Sequence, residues 1–262
     1  MLVKACLNGA RRPSEHPALP VTAEALARDA AAVRHAGARA VHLHVKDAEG
    51  ADTFGGSELA EALQAVRAAA PGLPVGVTTG AWALPDPAER VAAIQAWTVL
   101  PDFASVNWHE DGADEVAAAL LARGIGVEAG LWHAQAVERF LRSPHRDRCL
   151  RVLLELPDGL DEAETRSEVS RLLDQLLIGS SRRLAGRPLL LHGEGSSCWP
   201  ALREAVGLGL DTRIGLEDTL QLPDGSPALS NAALVAAARA IISSTTTASR
   251  EPCDYLATPG SI

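Results

Sequence analysis

A chain of 262 residues with 47% hydrophobic and 22% charged residues can bury one large core, and an aromatic content of 3% makes that core aliphatic. The formal charge of −9, from 24 basic against 33 acidic side chains with no basic run, argues against a nucleic-acid or anionic-membrane surface and for a small-molecule partner. Cys6, Cys149, Cys198 and Cys253 form no CxxC pair and no apolar stretch reaches the ~18 residues of a membrane span, so a cytoplasmic protein with reduced thiols is expected.

Residues 2–7 read as a strand that breaks at Asn8-Gly9, and a polar loop with Arg11 and Glu15 follows. Thr22 is a helix N-cap, Leu26, Ala30 and Val33 recur at helical spacing, and Gly37 closes that helix. The next strand begins at Ala40 and carries His42 and His44. The alternation then repeats. Ser57 caps a helix, and strands are expected over 74–79, 103–107, 126–131, 151–156, 188–192 and 212–216. Helices are expected near 86–97, 113–123, 133–142, 161–177, 200–206 and 230–242.

Eight strands alternating with helices over this length predict a (β/α)8 TIM barrel, with a single catalytic domain over residues 1–242. A doubly wound open sheet is the alternative. It lacks its usual signatures, since no GxGxxG follows the first strand and no GxxxxGK[ST] occurs. Residues 243–262 are polar and without helical period, and are expected to form a tail, disordered or laid over a neighbouring subunit of a homo-oligomer, a dimer or tetramer.

In a barrel of this kind, residues at the C-terminal ends of the strands surround the active site. Here those residues are Asn8; His42 and His44; Thr78 and Thr79; Asn107, His109 and Glu110; Glu128; Glu155; His192 and Glu194; and Glu217 with Asp218. An HxH pair on a strand sends both imidazoles to one face, together with Lys46. Two neutral imidazoles suit a divalent metal, zinc before others. A strand over 212–216 would aim Arg213 and Glu217 into the mouth, which makes Glu217 the third ligand and leaves a coordination position for substrate. Blander assignments compete at several positions. His192 and Glu194 suit a hydrogen-bonded pair with a solvated neighbour, and Glu128 and Glu155 suit carboxylates paired with arginine inside the barrel.

The segments ACLNGA, HPALPVT, AGARAVHLHVKDAEG, VTTGA and RIGLEDTL, with PDG and SNAALV behind them, resemble the β-keto acid cleavage enzymes over about residues 3–242. HLHV combined with RxGxED is the specific part of the likeness. The resemblance implies a zinc ion on His42, His44 and Glu217, Asp218 as catalytic base, Arg213 on the substrate carboxylate and Thr78 in place of the family's serine. It implies condensation of a β-keto acid with acetyl-CoA and retro-Claisen cleavage to acetoacetate-derived and acyl-CoA products. Substrate contacts are expected from Arg11, Asn8, Thr79, Asn107, Glu110, Glu128 and His192. Arg11 stands where the family carries a glutamate for an amino group, which points to an anionic or neutral substrate. Two enzyme readings compete: a Schiff-base aldolase using Lys46, and a metal-dependent aldolase, lyase or hydrolase on the same barrel.

Overall fold

The computed structural model describes residues 1–179 and 187–248. The strands are β1 (Val3–Cys6), β2 (Ala40–Leu43), β3 (Val75–Thr78), β4 (Phe103–Asn107), β5 (Gly126–Leu131), β6 (Arg151–Leu156), β7 (Leu189–Gly193) and β8 (Asp211–Ile214). They pair in parallel in sequence order, and β8 closes against β1 with Lys4 opposite Arg213. Between and after them run α1 (Ala23–Ala36), α2 (Gly56–Ala69), α3 (Pro87–Ala96), α4 (Ala113–Ala122), α5 (Ala134–Arg142), α6 (Glu162–Gly179), α7 (Cys198–Leu208) and α8 (Asn231–Ala248). This is the (β/α)8 barrel expected from the sequence, as one domain. No described helix is long and apolar enough to cross a membrane.

Local chemistry starts the helices where the sequence placed them. The Thr22 hydroxyl accepts from Ala25 N–H at the head of α1, and Asp86 accepts from Ala88 N–H at the head of α3, with Pro87 at its first position. The strands are short and buried on both faces, which is why they read as near-continuous apolar runs. Val3, Ala5, Val41, Leu43, Val75 and Val77 belong to one core between sheet and helices.

The barrel axis is filled differently. Lys4 and Arg151 both ion-pair with Glu128, Arg151 reaches Asp211 at 3.6 Å, and the Lys4 ammonium lies 5.5 Å from the centre of the Phe103 ring. Glu128, expected from the sequence to contact substrate, is instead committed to Lys4 and Arg151. Three residues of β5 separate it from the strand's end, so it lies a layer below the mouth and is neutralised there.

Two boundaries also differ from expectation. Helix α8 continues to Ala248 instead of stopping at residue 242, and within it Ser243, Ser244 and Thr245 turn their hydroxyls back to carbonyls of Arg239 and Ile241 instead of leaving the helix. The remainder of the expected tail, 249–262, lies outside the described residues. Strand β8 ends at Ile214, and residues 215–218 form a turn.

Asn231, at the start of α8, fastens that turn. Its Oδ1 accepts from Leu216 N–H at 2.6 Å, while its Nδ2 donates to Leu7 O at 2.7 Å and to Asp29 Oδ2 at 2.6 Å. Replacing it strands three buried partners, so Asn231→Ala is expected to lower stability by about 2–4 kcal/mol in urea titration. Burial pushes the Asp29 carboxyl up to about 6 from 3.8, although the Asn231 hydrogen bond pulls the other way. The folded chain thus keeps a proton that the unfolded chain has released, and stability falls as pH rises from about 4 to 6. Asp29→Asn keeps an acceptor for Asn231, so it is expected to raise stability at pH 8 but not at pH 4, by up to about 3 kcal/mol in urea titration.

Candidate active site

A cavity of about 640 Å³ opens at the C-terminal end of the barrel, with His42, His44, Arg213 and Glu217 on one side. Glu217 divides its carboxylate. Oε1 accepts from Arg213 Nη2 at 2.8 Å, whereas Oε2 is buried without a hydrogen-bond partner and lies 3.9 Å from both His42 Nε2 and His44 Nε2. Ligand atoms of these three side chains all lie within 4.8 Å of one another. Burial pushes the Glu217 carboxyl up, but Arg213 and the two imidazoles override it and hold it well below the usual carboxylate range. Burial also holds His42 well below its ordinary value, in the neutral form that a metal requires. An orphaned carboxylate oxygen facing two imidazole nitrogens fits a divalent cation, and zinc accepts this donor set.

Each member is aimed by neighbours. Asn8 pins the chain at His44, accepting from its N–H at 2.8 Å and donating to its carbonyl at 2.9 Å. Asp52 Oδ2 lies 3.1 Å from His44 Nδ1 and accepts a hydrogen bond from it, which turns Nε2 toward Glu217. Burial works against the Asp52 carboxyl, but hydrogen bonds from His44, Lys46 and Trp82 outweigh it and lower it to about 2. Gly9, at φ +56°, lets the loop after β1 lie against Glu217, since a Cβ there would stand 2.5 Å from Glu217 Cγ.

Lys46 does not share the cavity with the histidines. Its ammonium donates to Gly9 O at 2.8 Å and pairs with Asp52 at 2.6 Å, because β2 ends at Leu43 and residue 46 instead bridges to Asp52. A Schiff-base lysine would need to be unpaired and facing the substrate, so the aldolase reading has no support here.

Arg213 is the hub of the remaining charge. Its Nη2 and Nε hold Asp218 Oδ1 at 2.7 and 3.1 Å, and Nη1 lies 3.9 Å from Glu155 Oε2. Asp218 is 0% exposed and is absent from the cavity wall, because the turn that aims Glu217 inward points the next side chain behind Arg213. Burial lifts its carboxyl to about 7 against the pull of Arg213. Asp218, expected from the sequence as the catalytic base, thus lies directly behind Arg213, with its Oδ1 on the guanidinium. His192 also stands behind the wall, 2.7 Å from Glu155, its in-register neighbour across the β6–β7 ladder.

The opposite wall is formed by Thr78, Ser105, Asn107, His109, Trp132 and His133, with Trp82 at the rim. Thr78 and Asn107 thus stand where the sequence put them. Thr79 and Glu110 do not. The Thr79 hydroxyl is spent on Ser105 O at 2.7 Å, and Glu110 binds Arg90, Ala81 N–H and Asn107. Asn8, too, acts on His44 instead of on the cavity. Arg11 borders the cavity, with its Nη1 3.0 Å from Glu15 and its Nε on Leu216 O.

Asp52, Trp82 and Trp132 were missed by sequence reasoning. They sit in loops or just past strands, where no periodicity marks them, and Asp52 is identifiable only through its contact with His44. Glu155 was visible as a carboxylate inside an apolar strand.

A family model described as beta-keto acid cleavage enzyme matches residues 1–254. A 3-keto-5-aminohexanoate cleavage enzyme from Fusobacterium nucleatum is 23% identical over 250 residues, 90% of this chain and 88% of that protein. Another from Acetoanaerobium sticklandii is 24% identical over 254 residues, 90% of this chain and 89% of that protein. Among solved structures, ObcA in a ternary complex with a C4-CoA adduct and oxalate superposes with a TM-score of 0.69 at 20% identity over 88% of this chain. The present chain spans 65% of the ObcA chain, and the likeness establishes the fold.

Because a side chain at residue 9 would displace Glu217, Gly9→Ala is expected to weaken divalent-cation binding roughly 10- to 100-fold, read by competition with a chelating dye, while the fold by circular dichroism is retained.

Proposed function

The chain belongs to the beta-keto acid cleavage enzyme family, and we propose that it is a zinc-dependent transferase that condenses a β-keto acid with acetyl-CoA and then cleaves the adduct. The observation that carries this reading is the divided carboxylate of Glu217, one oxygen on Arg213 and the other turned, without a hydrogen bond, toward the Nε2 atoms of His42 and His44. His42, His44 and Glu217 would hold the cation, which when bound supplies Lewis-acid polarisation of the substrate's keto and carboxylate oxygens.

The remaining work falls to side chains. Arg213 borders the cavity beside the three ligands and receives the substrate carboxylate, and Asp218 behind it keeps the guanidinium oriented. Thr78 offers a hydroxyl on the facing wall, and Trp82 and Trp132 shield the site from water. A proton leaves the carbon between the two carbonyls, that carbon forms a bond to the acetyl carbonyl, and CoA thiolate departs. The thiolate then attacks the original acyl carbonyl. The bond to the acyl group breaks, its electron pair stays on the central carbon, and a proton returns there to give acetoacetate and a new acyl-CoA. ObcA, which shares this fold, is solved with a C4-CoA adduct and with oxaloacetate, ligands of a kindred kind.

Arg11 at the rim bears on the substrate's tail. With Glu15 it forms a neutral pair at that wall, so an ammonium tail meets no free carboxylate there, and a neutral or anionic tail is favoured. The purified protein, supplied with acetyl-CoA and a panel of β-keto acids, is expected to release acyl-CoA and acetoacetate, read by mass spectrometry. It is expected to carry about one zinc per chain after dialysis, to lose turnover on chelation and to regain it with zinc. Turnover that survives complete metal removal would overturn the reading.

A further inference from the structure

Four carboxyls line the cavity, those of Glu15, Glu155, Glu194 and Glu217. Three of them are engaged: Glu217 by Arg213 at 2.8 Å, Glu155 by His192 at 2.7 Å and Glu15 by Arg11 at 3.0 Å. The Glu194 side chain has no hydrogen bond or ion pair among the described residues. Its backbone, by contrast, is fixed. The N–H donates to Leu156 O at 3.0 Å, and the carbonyl accepts from Ser197 N–H at 3.1 Å and Ser197 Oγ at 2.9 Å. Gly193 and Gly195 flank it, and neither position has room for a side chain. A Cβ would stand 2.3 Å from Ser197 Oγ at the first and 2.2 Å from Asp158 Cγ at the second, where φ is +53°. Glu194 is therefore the one side chain that residues 193–195 can present to the cavity.

Its level along the barrel decides what it meets. The backbone at Glu194 is still extended, so His192 and Glu194 share a face of the chain leaving β7. His192 pairs in register with Glu155, which places Glu194 about 6–7 Å nearer the rim than that pair. A keto acid received by Arg213 beside the metal ligands sends its tail toward the rim, past this carboxyl and toward Arg11. We infer that Glu194 sets the specificity for that tail by accepting a hydrogen bond from a hydroxyl on a neutral chain. The assignment rests on the proposed keto acid reaction and narrows its tail from neutral or anionic to neutral and hydroxylated. A plain alkyl tail would bury the carboxyl with no partner, which is costly. A carboxylate tail would face Glu194 with Glu155 one layer below. An ammonium gains little, because burial lifts the Glu194 carboxyl to about 7 and the guanidiniums of Arg213 and Arg11 lie near enough to pull it the other way.

The test uses the zinc-loaded protein, first with the β-keto acid alone, whose binding is read by calorimetry, and then with acetyl-CoA, where kcat/KM is read. The panel is 3-oxohexanoate, its 5-hydroxy and 6-hydroxy forms, 3-keto-5-aminohexanoate and 3-oxoadipate. A hydroxylated acid is expected to exceed 3-oxohexanoate roughly 10- to 100-fold in both readouts. Glu194→Leu is expected to abolish that preference while 3-oxohexanoate binds at least as well as to wild type and zinc content is unchanged. A merely structural role would weaken both acids together. Glu194→Gln, which keeps a carbonyl acceptor in place, is expected to retain the preference. A wild type that favours the amino acid or the dicarboxylate, or a hydroxyl preference that survives in Glu194→Leu, would overturn the assignment, and acyl transfer would leave the keto acid reading in place. Loss of acetyl-CoA affinity alone in Glu194→Leu would overturn it as well, by putting this carboxyl against the co-substrate. Wild type that binds these acids and transfers no acetyl group would overturn the keto acid reading itself. If Glu194→Leu fails to fold, an undiminished hydroxyl preference in Glu194→Ala would overturn the assignment.

Discussion

The mouth of this barrel is organised around a carboxylate whose two oxygens face different partners. A buried carboxylate is costly unless both oxygens are satisfied, and Glu217 satisfies only one within the protein, through Arg213. Much of the surrounding structure exists to keep the other oxygen in front of His42 and His44. Gly9 supplies the space, Asn231 anchors the turn through Leu216, and Asn8 and Asp52 set the position and tautomer of His44. With one oxygen on Arg213 and the other before two imidazoles, the carboxylate has the arrangement that a cation would complete.

A comparison of the two charged layers along the barrel axis separates stability from chemistry. The lower layer, Lys4, Glu128, Arg151 and Asp211, neutralises itself and is sealed from the cavity. The upper layer leaves His42 Nδ1, His192 Nδ1, Glu217 Oε2 and Asp218 Oδ2 buried without hydrogen-bond partners among the described residues. Arg213 divides its donors among Glu217, Asp218 and Glu155. Such incomplete pairing in a low-dielectric setting is what moves carboxyl groups toward neutrality, and Glu155 and Glu194 on the cavity wall both lie near about 7 through burial.

The same geometry sorts residues of one chemical type into different duties. Asp218 and Glu217 are adjacent in sequence, yet the turn after β8 sends one to the cavity and the other behind Arg213. Glu128 and Glu155 lie on neighbouring strands, each inside an apolar run. Their heights along the axis give one to the ionic floor and the other to the cavity wall. Lys46, two residues beyond His44, is diverted to the loop after β1 by Asp52.

By itself the sequence determined the alternation of strands and helices, and with it the barrel, because caps, glycines and apolar periodicity are local signals read within a few residues. It also determined the candidate ligands, since HxH on a strand and Glu217 at a strand end need only the two-residue alternation of β structure. Only the tertiary structure decided that Glu128 is neutralised by Lys4, that Asp218 is enclosed and that Asp52 aims His44. Those facts depend on how far along the axis each side chain lies and which strand closes opposite it. Barrel closure sets both, and it brings residues 124 apart in the chain, Lys4 and Glu128, into one contact that no local pattern records.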